Sequence, residues 1–225
     1  MEYRSGSSHL EKQIESLLYK WREGEIKTSL FPLPSLKTIH ILPIQNYYYE
    51  GMGIKMYFSS NDLNVTGVDG FSLENLQVQQ SDRNLKISIG IQIPKVRVYT
   101  DQYSLKGRAY RIYPINGQGY MTITLFNVSA SLQLAFGSAD GDLGVALEDF
   151  IFDYDIGSIQ SNLEKSSWPV NEVLNSKGVT FLKDSRESIS SYLSNYVKSY
   201  INSYLKELTL IQFVKKIEEI TSFMI

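Results

Sequence analysis

The stretch Lys86-Ile87-Ser88-Ile89-Gly90-Ile91-Gln92-Ile93 alternates without a break, with four isoleucines on one face and Lys, Ser, Gly and Gln on the other. A period of two is that of a β-strand with one face buried and one face in water. Upstream, Ile54, Met56 and Phe58 alternate in the same way, as do Leu63 and Val65, and Leu73, Leu76 and Val78 keep part of the period. Downstream, Val96 and Val98, Tyr110 and Ile112, then Met121, Ile123 and Leu125 continue it. Gly67, Gly70, Gly107, Gly117, Gly119 and Ala139-Asp140-Gly141-Asp142 punctuate these runs and read as turns. No helical period interrupts residues 38–156, so one antiparallel, meandering sheet is expected. Strands longer than about ten residues twist and coil, so this sheet should wrap around something.

What it wraps follows at 179–208, a stretch without Gly or Pro that predicts a helix of about 30 residues and roughly 45 Å. Its apolar positions are Ile189, Leu193, Val197, Ile201, Leu205 and Leu208, together with Tyr192, Tyr196, Tyr200 and Tyr204. At about 100° per residue these cover roughly 220° of the circumference. Ser191, Asn195, Lys198, Asn202 and Lys206 are left as a polar arc. So wide a stripe implies enclosure on more than one side. A shorter helix is expected over 210–220, with Ile211, Val214 and Ile217 apolar. At the other end Leu10, Ile14, Leu17, Leu18 and Trp21 form one stripe of a helix over 8–23. Ser7 or Ser8 can cap this helix, with Glu11 completing a capping box from Ser8, and Gly24 is the stop. Leu30-Phe31-Pro32-Leu33-Pro34 reads as a stiff extended linker. Residues 1–8 (MEYRSGSS) read as a tag or trimmed mature end, leaving 9–225 as a single α+β domain.

Composition narrows the chemistry. The chain has 225 residues, 43% hydrophobic and 20% charged, which excludes wholesale disorder. With 22 basic and 24 acidic residues the net charge is −2, and no basic cluster offers a nucleic-acid site. No run approaches the roughly 18–20 apolar residues of a membrane span, so stable membrane insertion is not expected. Cysteine is absent, which removes disulfides, thiolate nucleophiles and Cys-ligated metals. His9 and His40 lack partners at ligand spacing, so neither a metal nor a cofactor is expected. There is no GxSxG elbow, and Gly117-Gln118-Gly119 lacks the third glycine of a dinucleotide site and reads as a strand turn. Glu148, Asp149, Asp153 and Asp155 interleave with Phe150, Phe152, Tyr154 and Ile156, the pattern of a solvated outer face. Enzyme chemistry has no foothold. The sequons Asn64-Val65-Thr66 and Asn127-Val128-Ser129 carry little weight, since this much Asn, Ser and Thr produces them by chance.

Several segments carry a resemblance in order and spacing. Tyr103-Ser104-Leu105-Lys106-Gly107-Arg108, then Tyr113-Pro114-Ile115-Asn116-Gly117-Gln118-Gly119, then 122–128 (TITLFNV) resemble the takeout and juvenile-hormone-binding protein family of insects. The approach to the first strand, 30–39 (LFPLPSLKTI), and Leu63-Asn64-Val65-Thr66-Gly67-Val68 are similar to that family's corresponding segments, and so is the lead into the terminal helix from Asn171 to Ile189. The N-terminal cysteine pair usual in the family is missing, which marks a divergent branch. The resemblance implies a strongly curved antiparallel sheet around a long C-terminal helix, enclosing an apolar tunnel. It also implies secretion and carriage of one elongated hydrophobic ligand: a terpenoid, fatty acid, quinone or carotenoid.

On that reading the ligand-binding residues are Ile89, Ile91, Tyr110, Ile123 and Leu125 from the sheet, with Leu193, Tyr196, Val197, Tyr200 and Tyr204 from the helix. Tyr196 and Tyr200 would add hydroxyls to an apolar wall. The expected partner is a hydrophobic small molecule and the expected state a monomer. Two other classes stay open: a lipid-transfer or membrane-surface protein, and a structural protein whose interior is filled.

Overall fold

The isoleucine row lies in the central strand of an eight-stranded antiparallel sheet. A computed structural model describes residues 7–26, 33–51, 53–138 and 144–222. The elements are α1 (Ser7–Glu23), β1 (Thr38–Ile41), β2 (Ile44–Gly51), β3 (Ile54–Ser60), β4 (Leu63–Thr66) and β5 (Ser72–Gln80). β6 (Asn84–Ala109), β7 (Tyr113–Ser138) and β8 (Val145–Leu163) follow, then α2 (Val170–Asp184), α3 (Arg186–Leu205) and α4 (Leu210–Ser222). β6 and β7 have 26 residues each, roughly 85 Å of extended chain. β7 pairs with β6 along nearly its whole length on one side and with β8 on the other. Along the far side of β6 lie β5, β4 and β3 in succession, with β1 outside β4 and β2 outside β3.

Strands this long stay amphipathic only by changing which residues face inward. The inner row of β6 runs Leu85, Ile87, Ile89, Ile91, Ile93, then shifts to Val96 and Val98. β7 shifts between Leu125 and Val128, and β8 between Ile156 and Ile159. All three shifts fall on one line across the sheet. Ile93 pairs Val128 and Lys95 pairs Phe126, while Val128 pairs Ile156 and Phe126 pairs Ser158. On that line stand Pro94, which has no N–H to give the ladder, Asn127 at φ 52, and Gly157. A Cβ on Gly157 would lie 3.0 Å from the Cβ of Asn127. No residue is inserted there, because the register is the same on both sides of the line; the three strands turn over together. The register shifts lie elsewhere, at Thr100/Tyr103 between β6 and β7 and at Ala135/Phe136 between β7 and β8.

The helices differ from the sequence expectation in one respect. Instead of one helix over 179–208, the chain enters α2 nine residues earlier and steps at Ser185 into α3. The helix runs through Gly178, which is buried because the helix approaches β8 closely there. A Cβ at Gly178 would meet the side chain of Ile159 at 3.0 Å. α1 ends as expected: Gly24 has φ 78, its N–H donates to the Trp21 carbonyl at 3.0 Å, and Glu25 N–H donates to that of Lys20 at 2.9 Å. Glu11 serves the sheet, accepting the Val78 N–H at 3.0 Å. Gly117 and Gly119 are inside β7 and form no turn; a Cβ on Gly117 would strike the Tyr103 ring. Tyr103 is buried and donates to the Glu164 carbonyl at 2.6 Å; burial, then the Glu164 charge, pushes its phenol up to about 12. The expected turn at 139–142, and most of the 30–34 linker, lie outside the described residues.

The acidic face of β8 is not simply solvated. Asp155 pairs with Lys183 at 2.9 Å and Asp153 with Arg186 at 3.2 Å, tying the α2–α3 step to the strand. The bond from Lys183, followed by the Ile156 N–H, holds the Asp155 carboxyl below its ordinary 3.8. A lowered folded value stabilises the fold above the unfolded pKa, and that contribution disappears as pH falls through the folded one. Asp155→Asn is therefore expected to destabilise at neutral pH and to match the parent in strong acid. The check is urea unfolding at both pH values, and an equal offset at both would exclude the ion pair as the cause.

Candidate functional site

α3 carries three stripes at i, i+4 spacing, each about 100° round from the next. Leu193, Val197, Ile201 and Leu205 form the middle stripe; Val197, Ile201 and Leu205 pack into the apolar interior. On one flank Arg186, Ser194, Lys198 and Asn202 meet β8. Ser194 donates to the Phe150 carbonyl at 2.8 Å, Lys198 to that of Glu148, and Asn202 both accepts from and donates to Leu147, at 2.7 and 3.2 Å. α2 does the same with Asn171 on Leu163 and Asn175 on Ser161. β8 is the outer strand beside β7, and these side chains satisfy backbone groups that another strand would otherwise attract. Lys198 and Asn202, two members of the polar arc, are therefore structural. The opposite flank is the tyrosine stripe.

The tyrosines do not face the interior as expected. Tyr192 is 72% exposed, Tyr196 60% and Tyr204 40%. Tyr196 stacks on Tyr200 with ring centres 6.3 Å apart, and Tyr200 meets Tyr204 edge-on at 5.3 Å. Tyr200 is half-buried, and burial raises its phenol pKa first, ahead of its bond with Tyr204. Tyr110 is 70% exposed in the β6–β7 turn, at φ 49, far along the sheet from α3.

Of the other sequence-derived positions, Ile89, Ile91, Ile123, Leu125 and Val197 pack against the apolar interior. Ile89 and Val197 pack against one cluster with Leu85, Phe150 and Leu205. Ile91 and Leu125 pack against a second with Ile93, Val128 and Tyr154, and Ile123 against a third with Tyr103 and Met121. The first two clusters share Leu18 and Phe152, so the apolar interior continues from one to the next. Leu193 is half-buried on the same helix stripe as Val197.

One level of this interior is less closed than its neighbours. Along β6, Leu85, Ile87 and Ile93 are buried, whereas Ile89 and Ile91 between them are half-buried. Along β7, Ala130, Leu132 and Leu134 are half-buried between Val128 and Phe136; along β8, Phe152 is half-buried between Phe150 and Tyr154. The register aligns these positions: Ile89 pairs Leu132, which pairs Phe152, and Ile91 pairs Ala130, which pairs Tyr154. Accessible apolar surface thus forms a patch across three strands, and chemically it can only take apolar matter. Leu132, Ala130 and Phe152 were not singled out from the sequence. The alternation of Phe150, Phe152, Tyr154 and Ile156 was the available signal for Phe152; Leu132 and Ala130 needed the register. Among the described residues no three His, Asp or Glu side chains converge as a metal site, and no helix is long and apolar enough to cross a membrane.

Comparison with known proteins places this geometry. The family model of haemolymph juvenile hormone binding proteins (JHBP) matches residues 5–215. The crystal structure of Takeout 1 of Epiphyas postvittana superposes with a TM-score of 0.50 at 18% identity, over 82% of this chain and 81% of that one. A crystal structure of lipopolysaccharide binding protein matches at 15% identity over 94% of this chain but 38% of that one, with a TM-score of 0.34. No curated protein matches the chain.

Proposed function

Because the chain belongs to the haemolymph juvenile hormone binding protein family, we propose that it is a non-enzymatic carrier of one elongated hydrophobic molecule in extracellular fluid. The observation that carries this reading is the half-buried apolar patch around Ile89, Leu132 and Phe152, bounded along the strands by the buried Ile87 and Ile93, Val128 and Phe136, and Phe150 and Tyr154. A protein with a filled core would have no reason to leave large apolar side chains accessible on its inner face. The ligand's hydrocarbon lies against Ile89, Ile91, Leu125, Leu193 and Val197, with Ile123 further along. Each Å² of apolar surface removed from water contributes about 25 cal/mol. The ligand class is a terpenoid, fatty acid, quinone or carotenoid. Of the helix tyrosines only the half-buried Tyr200 is assigned to the border of this space; Tyr196 and Tyr204 face outward and are left out of it.

The test is ligand-linked stability. With ligand at 100 times its dissociation constant the folded state gains about 2.7 kcal/mol, several degrees in melting temperature for a chain of this size. Delipidated protein should melt that much lower and recover with a member of an apolar panel. Val197→Trp, which fills the space, should keep its fold and lose the recovery. Failure of every apolar compound to shift the parent protein would refute carriage.

A further inference from the structure

Three connections converge at one end of the sheet: β2 to β3, β6 to β7, and β8 to α2. Tyr110 N–H donates to the Gly53 carbonyl at 2.7 Å. Ser167 N–H donates to the Asn116 carbonyl at 2.6 Å, and its hydroxyl to that of Pro114 at 3.0 Å, which sets Trp168 beside the start of β7. This end carries large apolar side chains that no core uses. Tyr110 is 70% exposed, Ile112 73% and Trp168 79%, with Tyr113 exposed between them. A cluster of that kind on a projecting turn marks contact with something outside the protein.

Charge says what. The nearby carboxylates Glu50 and Glu164 are already held by Lys55 and Lys165, and Glu172 stands on the first turn of α2. Lys106, Arg108 and Arg111 have no acidic partner among the described residues. In a chain of net charge −2, this end is positive. Tyr and Trp, apolar bodies with a polar edge, sit well where water meets lipid. Arg and Lys beside them pair with anionic headgroups. A stable protein partner would need about 800 Å² of matched surface and roughly 20–30 residues on this side, whereas the apolar cluster is four exposed side chains. An interface of mobile lipids needs no such match.

We propose that this end of the sheet docks reversibly on anionic phospholipid membranes. Tyr110, Ile112, Tyr113 and Trp168 enter the headgroup region, and Lys106, Arg108 and Arg111 meet phosphates and serine carboxylates. The docking site is built from turns, not from an amphipathic helix, and it is independent of what the interior carries.

The chain has two tryptophans, Trp21 and Trp168. In Trp21→Phe, and in the parent as a check, Trp168 emission should shift to the blue on vesicles of phosphatidylcholine mixed with phosphatidylserine. Brominated acyl chains should quench it. Vesicles of phosphatidylcholine alone should bind far less, and salt should weaken binding to the anionic ones. Arg108→Gln with Arg111→Gln should lower partition about 30-fold, the loss of two cations at about 1 kcal/mol each. Ile112→Asp should abolish flotation with the anionic vesicles. Both variants should melt with the parent and bind apolar ligands as it does, which separates failure of docking from failure of carriage. Absence of flotation would overturn the proposal, as would binding that leaves Trp168 emission unmoved. So would an Ile112→Asp effect confined to self-association, since the occupant would then be a second copy of the chain.

Discussion

Asn202→Ala is expected to destabilise the fold by about 1–3 kcal/mol for each backbone group it leaves unpaired, of which there are two. Leu147 is buried; its N–H reaches the Asn202 Oδ1 at 2.7 Å and its carbonyl the Nδ2 at 3.2 Å. The side-chain amide copies a peptide group, so α3 completes β8 at this point as a ninth strand would. Truncation removes both partners where water has little access, leaving a donor and an acceptor buried and unsatisfied. Asn195→Ala is the control, because Asn195 is exposed on the next stripe and surface changes of that kind stay within about 0.5 kcal/mol. Asn202→Asp keeps the acceptor, loses the donor and should fall between. Urea unfolding gives the stabilities, and amide exchange at Leu147 should accelerate in Asn202→Ala. Equal stability of the two alanine variants would mean that the helix does not close this edge.

Leu205→Ala should cost about 2–5 kcal/mol, the range for deleting a buried leucine side chain. Leu205 is fully buried at the last position of α3, in one cluster with Leu85 of β6, Leu147 of β8, and Leu210 and Phe213 of α4. It therefore joins the helix layer to the sheet at the end away from the proposed docking turns. Leu208 accepts the Val145 N–H at 2.6 Å just beyond it, so little backbone movement is available to refill the space. Ile211→Ala, at an exposed position of α4, should change stability little. A loss below about 1 kcal/mol for Leu205→Ala would show that the cluster collapses freely, against close packing at this end of the interior.

Sequence by itself determined the parts that depend on short-range periodicity. The isoleucine row of β6, α1 with its Gly24 stop, and α4 are where period and capping placed them. The antiparallel class followed from strands with no helix between them, and the family likeness from motifs carried along those strands. Of the interior positions, Ile89, Ile91, Ile123 and Leu125 were legible because alternation marks a buried face of a strand, and Val197 because the helical period places it on an apolar stripe.

Three features needed the tertiary structure. The line Pro94–Asn127–Gly157 changes the inward parity of three strands at once, and only register aligns residues so far apart in sequence. The tyrosines of α3 fit an apolar stripe by hydropathy, yet the helix rotates them outward because Ser194, Lys198 and Asn202 are wanted at the edge of β8. Helical period fixes which side chains share a stripe but not which stripe the neighbours need. The docking end is assembled from Tyr110, Ile112 and Trp168, and Trp168 comes to the β6–β7 turn through hydrogen bonds from Ser167 to Pro114 and Asn116. Alternation reads Tyr110 and Ile112 as strand positions with a buried face. The chain reverses there instead, with Tyr110 and Arg111 at positive φ, and a reversal at the sheet's end leaves no second layer to bury them.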